Sequence, residues 1–403
     1  MMIRNISLHL QHPLKHLLSS IPSFKKRSFS LSPGEFAVLG IESSCDDTAA
    51  AVVTSTGRIL SHVIKNQISV HAQYGGIVPS LAAEHHTINM PYVISQTLDD
   101  ANISIDQLAA IAVTRGPGMP GSLGVCLNAA KSLAAVHKKP LIGVHHMEAH
   151  ALMARIDSTK NIEFPFLAFL ISGGHTMLLV ANSVNSYTCL GTTLDDSIGE
   201  VFDKVSRQLD IPSLKPYIES MTTNLQDESN NSAGEALDRL ATIGDPSTHK
   251  LPLPMSKADT SSSLNYSFSG LKSATFRLIA ASKNNGSFAD KADIAACFQT
   301  TATNHLVSKL TKSLLFAKSE LGISPKSIVV SGGVASNKYI NSRLTAFAHS
   351  NNLLYFSPPK HLCTDNGVMI AWAGIERFKL GLIDPYSITF KQRWPLQDLG
   401  NPI

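Results

Sequence analysis

Cysteine and charge are both scarce in this 403-residue chain. Its five cysteines are an odd number, and none belongs to a Cys-x-x-Cys pair. This pattern argues against a disulfide framework or a zinc site built from cysteine, and it favours a reducing compartment. Charged residues make up 16% and apolar residues 43%, which excludes a disordered chain or a collagen. No apolar run approaches the ~18 residues of a membrane span, so no membrane insertion is expected.

Acidic residues are absent from residues 1–34, which carry five of the 34 basic side chains. This segment is rich in serine, and its apolar residues recur at roughly helical spacing. A basic, serine-rich and amphipathic leader is typical of an organellar transit peptide, with an ordinary basic tail as the alternative. The other 29 basic and 30 acidic side chains nearly cancel, so the net charge of +4 belongs to the leader. Any attraction to nucleic acid must therefore come from a local basic patch or from a surface that spans a dimer.

Two segments of the chain follow the same plan, which predicts a duplicated architecture. In each, a polar turn separates two apolar strands: the turn is ESSCDDT within residues 36–62 and SGGHT within residues 164–181. A third apolar strand at 327–330 leads into SGGVASN and a helix-like stretch. Buried strands that alternate with helices indicate an α/β fold of two similar lobes, not a single Rossmann unit.

The domain boundaries follow from this repeat and from the length, which suggests two or three domains. We place an N-terminal lobe at 35–144, completed by a helix around 366–385, and a C-terminal lobe at 145–365. Residues 211–265 are weakly periodic and rich in Ser, Asn, Asp and Pro, which predicts a loop-rich insertion. Apolar periodicity predicts further helices over 82–98, 122–137 and 291–317.

His146 and His150 stand four residues apart in HHMEAH. On a helix this spacing puts both imidazoles on one face, which is a good start for a divalent metal site. Two histidines do not complete such a site, and a surface or helix-capping pair is the alternative. The metallopeptidase patterns HExxH and HxxEH need Glu at positions that hold Met147 and Ala149, so peptidase chemistry is disfavoured.

Paired glycines end two of the apolar strands, in SGGHT (172–176) and SGGVASN (331–337). Glycine lets the main chain approach a phosphate closely, and successive N–H groups can hold an anion. Neither turn matches the P-loop or the Rossmann pattern, so an ordinary tight turn remains the alternative for each. Two such turns in matching contexts suggest a phosphate held between two lobes at the strand ends.

Carboxylates also follow the strands. Asp46 and Asp47 end the first strand, Asp195 and Asp196 precede a helix-like stretch, and Asp365 precedes another. Such groups can coordinate a metal, orient water or bind a ribose hydroxyl. Helix capping is the alternative for Asp195 or Asp196 and for Asp365.

Nine segments of the chain, in this order, resemble the tRNA threonylcarbamoyltransferase (TsaD) family, and the leader favours its mitochondrial branch. The resemblance runs from about residue 36 to about residue 380. The segments are GIESSCDDT (40–48), YGGIVPSLAAEHH (74–86), GPGMPGSLGVCLNAAK (116–131), VHHMEAH (144–150), LISGGHT (170–176), DDSIGEVFDK (195–204), YSFSGLKSA (266–274), SGGVASN (331–337) and LCTDNGVMIAW (362–372).

The resemblance implies the two-lobe fold of the actin, sugar kinase and heat-shock ATPase (ASKHA) superfamily, with nucleotide between the lobes. It implies transfer of threonylcarbamoyl from threonylcarbamoyl-AMP to the exocyclic amine of the adenosine 3′ of the anticodon. The acceptors would be mitochondrial tRNAs that read codons beginning with A, and a separate synthase would make the donor. The mitochondrial branch further implies a homodimer in the matrix.

The resemblance also implies roles for individual residues. His146, His150 and Asp365 become ligands of one divalent metal ion per subunit, iron or zinc, and Asp46 and Asp47 become carboxylates of the transfer step. The residues implied for the adenylate, in a cleft for an ATP- or AMP-type nucleotide, are Ile171, Ser172, Gly173, Gly174, His175, Asp203, Gly332, Gly333 and Asn337.

One stretch departs from the family pattern. The family usually carries a YPGGP-like loop shortly after FDK, and its second glycine contacts the nucleotide. Here residues 210–220 read DIPSLKPYIES, without glycine. With a one-residue insertion, Glu219 matches a family glutamate that contacts ribose. The alternative function, a nucleotide-dependent scaffold protein of the same superfold, would have no need of the three metal ligands.

Overall fold

The computed structural model describes residues 31–74, 76–211, 233–282 and 287–400. Most of the predicted transit segment and Glu219 lie outside these residues. Each of two lobes is built on a five-stranded sheet. The first sheet contains β1 (Ala37–Glu42), β2 (Thr48–Thr54), β3 (Ile59–Lys65), β4 (Ala110–Gly116) and β5 (Leu141–His145). The second contains β6 (Phe166–Ile171), β7 (Thr176–Ser183), β8 (Ser186–Thr192), β9 (Ser327–Ser331) and β10 (Leu354–Phe356).

The two sheets have the same topology. The first has the strand order β3-β2-β1-β4-β5, and the second has the order β8-β7-β6-β9-β10. In each, the first three strands in sequence pair antiparallel, and the last two run parallel to the central strand. This equivalence confirms the predicted α/β fold with duplicated lobes of the ASKHA type. It also brings the turns after β1, β6 and β9 to corresponding strand ends.

Helices cover the sheets, and local signals mark their ends. Pro79 and Pro120 each occupy a first helical position, where the missing N–H costs nothing, and Asn102 ends a helix with a left-handed backbone. The helices are α1 (Ile68–Ala72), α2 (Pro79–Ala101), α3 (Pro120–Val136), α4 (His146–Leu152), α5 (Ile198–Gln208), α6 (Ala233–Ala241), α7 (Ala258–Ser261), α8 (Ser269–Ala281), α9 (Phe288–Ser319), α10 (Lys338–Ser350) and α11 (Gly367–Lys379).

Helix α6 lies inside the range that the sequence predicts to be loop-rich. Its apolar residues Leu237, Leu240 and Ala241 are buried against α5 and α9. The helix has nine residues, which is fewer than three turns, so its amphipathic pattern is too short to stand out among the surrounding polar residues. Helix formation here therefore depends on packing rather than on intrinsic propensity.

Helix α11 packs on the first sheet with almost no space between their main chains. A Cβ atom on Gly40 of β1 would collide with the main chain of Gly367 and Ala371, and one on Gly367 would collide with that of Ala50. Only glycine permits such an approach. Although it comes late in the sequence, α11 thus lies on the sheet of the N-terminal lobe.

A joint core connects the two lobes around α4 and α11. It contains Ile142 from the first sheet, Leu170 from the second, Leu152 from α4 and Ile370 from α11, all buried. The two helices contact each other, and α4 also touches β6 and β9 of the second sheet. Among the described residues, no helix is long and apolar enough to cross a membrane.

Candidate functional site

Helix α4 follows β5 directly and carries the two histidines that the sequence singles out. His145 caps this helix, because its Nδ1 accepts a hydrogen bond from the Met147 N–H at 3.1 Å. The predicted helical spacing places His146 and His150 side by side, with ring centroids 4.8 Å apart. Both rings are buried, so the pair is not the exposed surface pair of the alternative interpretation.

Asp365 joins the two histidines from the loop before α11. Its Oδ1 lies 3.1 Å from Nε2 of His150 and 3.4 Å from Nε2 of His146. Capping of α11 falls to Asn366, whose side chain accepts from the Met369 N–H at 2.8 Å. The capping alternative for Asp365 is therefore wrong. The fold thus brings the three ligand candidates together, although more than 200 residues separate Asp365 from the histidines.

Glu42, at the end of β1, contacts His146 from the opposite side. Its Oε2 lies 3.1 Å from His146 Nδ1 and accepts from the Thr114 hydroxyl at 2.5 Å. Burial would lower the pKa of His146, but Asp365 and Glu42 raise it well above its usual range. Burial would likewise raise the pKa of Asp365, yet the two histidines hold it well below its usual value. The cluster thus attracts positive charge.

This donor set fits a divalent metal ion. One ligand atom from each of His146, His150 and Asp365 lies within 4.8 Å of the others. Two imidazoles and one carboxylate are the ligands of catalytic sites for zinc and iron, which leave further positions open. Glu42 completes the carboxylate–histidine contact that usually orients a metal-binding imidazole.

The loop after β1 places Asp46 and Asp47 near this cluster. Burial raises the pKa of Asp47 to about 8, with a further contribution from the charges of Asp365, Asp46 and Glu42. With this pKa the carboxyl of Asp47 is mostly protonated at neutral pH, and its ionised fraction can accept a proton. Hydrogen bonds to its main-chain carbonyls hold this loop in place. The Cys45 carbonyl accepts from His86 Nε2 at 2.9 Å, and the Ser44 carbonyl accepts from the Met119 N–H.

Ser172 organises the turn after β6, which contains the residues Ile171–His175 of the predicted site. Its hydroxyl accepts from the N–H groups of Gly174 at 3.3 Å and His175 at 3.1 Å. A Cβ atom on Gly173 or Gly174 would meet nothing within 4 Å, so the main chain is open for an approaching ligand. Burial, together with His146 and His150, lowers the pKa of His175 to about 4, so its imidazole is neutral.

The turn after β9 packs against the turn after β6. Gly332 has φ +101°, and a Cβ there would collide with the carbonyl of Ile171. Gly332 therefore keeps the two turns in contact, and Gly333 lines a cavity formed by residues of the C-terminal lobe. Asn337 lines that cavity as well, but its side chain is engaged. Oδ1 caps α10, and Nδ2 donates to Gln299 at 3.0 Å.

The cavity has a volume of about 420 Å³, enough for a nucleotide-sized ligand. Thr364, next to Asp365, forms part of its wall, so the cavity extends to the loop of the third ligand candidate. Burial raises the pKa of Asp203, which also lies in the wall. The lining residues are Gly173, Gly199, Phe202, Asp203, Gly234, Glu235, Asp238, Arg239, Thr242, Gly333, Val334, Ser336, Asn337, Lys338, Lys360 and Thr364.

Two residues of this wall, Gly234 and Asp238, are missed by the sequence reasoning. Gly234 begins α6 beside Asp203, and Asp238 follows one helical turn later. Asp238 Oδ2 accepts from the Lys338 N–H at 3.1 Å, and burial raises the pKa of the carboxyl against hydrogen bonds from Lys338 and Gln299. A glycine and an aspartate four residues apart could have indicated this contact. They lie beyond residues 210–220, where the family loop is expected.

Asp195 and Asp196 serve the C-terminal lobe and do not cap α5. The cap is Ser197, whose hydroxyl accepts from the Glu200 N–H at 3.3 Å. Asp195 instead accepts from both the hydroxyl and the N–H of Ser269 at the start of α8. The capping alternative is therefore wrong for this pair, which ties two helices together.

The sequence of this chain is similar to those of known proteins. A family model described as tRNA N6-adenosine threonylcarbamoyltransferase (TsaD) matches residues 58–372. The probable mitochondrial tRNA N6-adenosine threonylcarbamoyltransferase of Arabidopsis thaliana is 41% identical over 398 residues, which cover 94% of this chain and 78% of that protein. The tRNA N6-adenosine threonylcarbamoyltransferase of Rickettsia bellii (strain OSU 85-389) is 40% identical over 365 residues, or 90% and 99% of the two chains.

Among solved structures, HypF from T. kodakarensis superposes with a TM-score of 0.50 at 14% identity, over 86% of this chain and 48% of that one. This likeness concerns the fold alone. The family match and the two relatives, by contrast, extend through the sequence of both lobes, and they favour a transferase over a scaffold protein or a peptidase. The chain belongs to the tRNA N6-adenosine threonylcarbamoyltransferase family.

Proposed function

We propose that this transferase modifies mitochondrial tRNAs that read codons beginning with A, with the help of one divalent metal ion per subunit. The observation that carries the proposal is the cluster of His146, His150 and Asp365 beside the cavity of the C-terminal lobe, whose wall includes Thr364. Zinc and iron both accept this donor set. When bound, the ion would supply Lewis-acid chemistry, which polarises a carbonyl or neutralises a phosphate.

The cavity would hold threonylcarbamoyl-AMP. Gly173 and Gly333 offer close main-chain approach from the two turns, and Asp203 and Asn337 line the wall. We assign to Gly234 the contact made by the second glycine of the family loop. Asp238 would accept a hydrogen bond from a ribose hydroxyl, because it lines the cavity one helical turn after Gly234. Glu219, outside the described residues, stays the competing candidate for that contact.

Transfer itself would depend on positioning and on proton removal. The exocyclic amine of adenosine is a weak nucleophile, because its lone pair is delocalised into the ring. The protein must therefore hold it against the carbamoyl carbon, which converts an intermolecular step into an oriented one. The ionised form of Asp47 would accept the amine proton during attack, with Asp46 beside it. AMP then leaves.

The acceptor is a tRNA, whose target base lies in a single-stranded loop and needs no duplex opening. Of the basic residues that could contact tRNA phosphates, two already have partners in the structure. Lys131 donates to the Ile388 carbonyl at 3.0 Å, and Lys139 donates to the Asp106 carbonyl at 2.7 Å. Lys338 lines the donor cavity and remains the stronger candidate.

We also propose a homodimer in the mitochondrial matrix that acts after a separate threonylcarbamoyl-AMP synthase. Support for the location comes from the Arabidopsis relative, which is named mitochondrial. Support for a second copy comes from α2, where Ile88 and Tyr92 lie one turn apart with 54% and 65% of their surfaces exposed. Light scattering of the wild-type chain and of Tyr92→Glu tests the dimer, which the variant should weaken.

The deciding experiment is reconstitution with the synthase, threonine, bicarbonate, ATP and unmodified mitochondrial tRNA, followed by mass spectrometry of nucleosides. We expect threonylcarbamoylated adenosine only in tRNAs that read codons beginning with A. His146→Ala should abolish the product and the bound metal, while His137→Ala, at an exposed histidine paired with Asp106, should change neither. Product without metal, or from His146→Ala at the wild-type rate, would contradict the metal assignment.

A further inference from the structure

The last described residues form a segment, 384–400, that crosses from one lobe to the other, and we call it the strap. At its start, the Asp384 N–H donates to the carbonyl of Leu141 on β5 at 2.9 Å. Near its end, the helical turn Leu396–Asp398 packs on β8, and Leu399 is buried in the joint core. The strap thus touches the central sheets of both lobes.

Trp394 anchors the middle of the strap. Its ring is 4.8 Å from the ring of His145, centroid to centroid. The guanidinium of Arg115 lies 5.4 Å above the same ring, and the ammonium of Lys391 lies 4.5 Å from it. Cations over an indole face are attracted to its electrons. These contacts fix the main chain at Trp394, including its carbonyl.

His145 connects that carbonyl to the helix of the metal-ligand candidates. Its Nε2 donates to the Trp394 carbonyl at 2.8 Å, and its Nδ1 accepts from the Met147 N–H in the first turn of α4. One imidazole therefore uses both nitrogens, one toward the strap and one toward the helix. The ring is buried, so water does not compete for either bond.

We infer that His145 is a positioning residue, through which docking of the strap fixes α4 and the His146 ring. The inference rests on the metal role proposed for His146, His150 and Asp365. The ring of His146 contacts both Glu42 and Asp365, at 3.1 and 3.4 Å, so a small rotation of the first turn would lose one of them. Of the two adjacent histidines in HHMEAH, one thus orients and the other binds.

Two variants separate this role from helix capping. In His145→Asn, the amide oxygen can still cap α4, since Asn is among the best capping residues, but the shorter side chain does not reach Trp394. Trp394→Ala removes the ring that anchors the carbonyl, whereas Trp394→Phe keeps an aromatic ring there. Each full-length chain is stripped with chelator and titrated with Co(II), whose visible spectrum reports affinity and ligand geometry.

We expect His145→Asn and Trp394→Ala each to weaken Co(II) binding about tenfold and to change the spectrum, as loss of outer-shell support does. The double variant should be no weaker than either single variant, because both break one link. Trp394→Phe should restore affinity to within about twofold. His305→Asn is the matched control, since His305 is also a buried histidine that accepts a main-chain N–H, from Ser267.

Wild-type affinity and spectrum in His145→Asn would overturn the inference, and so would losses that add in the double variant. If Trp394→Ala does not fold by circular dichroism, His145→Asn decides the question alone. Failure of the wild-type chain to bind Co(II) would instead refute the proposed metal site. The two failures are therefore distinguishable.

Discussion

Glu42 and Asp365 hold the ring of His146 from opposite sides. Glu42 Oε2 lies 3.1 Å from Nδ1, and Asp365 Oδ1 lies 3.4 Å from Nε2. Glu42 has no exposed surface, and its other oxygen accepts from the main-chain N–H of Ser44. A carboxylate on the far nitrogen selects one tautomer and makes the near nitrogen more basic. The sequence motif HHMEAH does not include this partner, which precedes it by 104 residues.

Glu42→Gln should lower the affinity for zinc or Co(II) about 10- to 100-fold, the usual effect of losing such a partner. The amide keeps the shape of the side chain and can still accept from Ser44, so the fold should persist. Equilibrium titration measures the change. Glu163→Gln is the control, because Glu163 pairs with Lys326 on the surface and both side chains are more than half exposed. Equal affinities in the two variants would contradict the role of Glu42.

Asp238→Ala should raise KM for threonylcarbamoyl-AMP about tenfold and change kcat little, because the loss is a ground-state hydrogen bond to a charged group. Initial rates at varied donor concentration measure both constants. Asp245→Ala is the control, since Asp245 is exposed and binds the nearby Ser247. If Asp238→Ala keeps the wild-type KM, the ribose contact lies elsewhere, and Glu219→Ala becomes the next test.

Gly332→Ala should destabilise the protein by about 3 kcal/mol or more. Its φ of +101° and ψ of 159° belong to a region that is essentially restricted to glycine, and the new Cβ would collide with Ile171. Gly322→Ala is a matched control: φ is +65°, nothing lies within 4 Å, and the cost should be about 1 kcal/mol. Urea denaturation measures both. Equal losses of stability in the two variants would show that the turns after β6 and β9 can move apart without a free-energy cost.

Stability should fall as the pH falls from about 6.5 to about 4, partly because of His305. Burial lowers its pKa to about 4, so between these values the unfolded chain binds a proton that the folded chain does not. Stability then rises with pH by up to about 1.4 kcal/mol per pH unit for this group. His305→Asn should flatten the dependence of the unfolding free energy on pH. An unchanged slope would show that His305 is protonated when folded.

The sequence predicts the fold class and the meeting of His146 with His150, because both depend on local patterns. Apolar strands that end in short polar turns recur at matching places, and His146 and His150 need only a helix to meet. Asp365 lies far along the chain and was ambiguous between capping and binding. Its neighbour Asn366 satisfies the cap, and only the packing of α11 shows this.

The parts that the sequence does not reveal depend on long-range contact. Gly234 and Asp238 reach the cavity because α6 packs between α5 and α9, and no local pattern records that packing. The sequence of the strap indicates its structure even less. It is irregular apart from one helical turn, yet Trp394 and Leu399 are buried against residues far away in sequence. Periodicity detects regular elements, whereas such an irregular segment is stabilised entirely by its neighbours.

The close contact of α11 with the first sheet also bears on the entropy of metal binding. With no side chains between Gly40 and Gly367, α11 cannot slide or rotate without a main-chain collision, and Asp365 immediately precedes it. The third ligand candidate is therefore preorganised by steric exclusion before any ion arrives. An incoming ion would not have to order this loop, so little of its binding free energy is spent on conformational restriction.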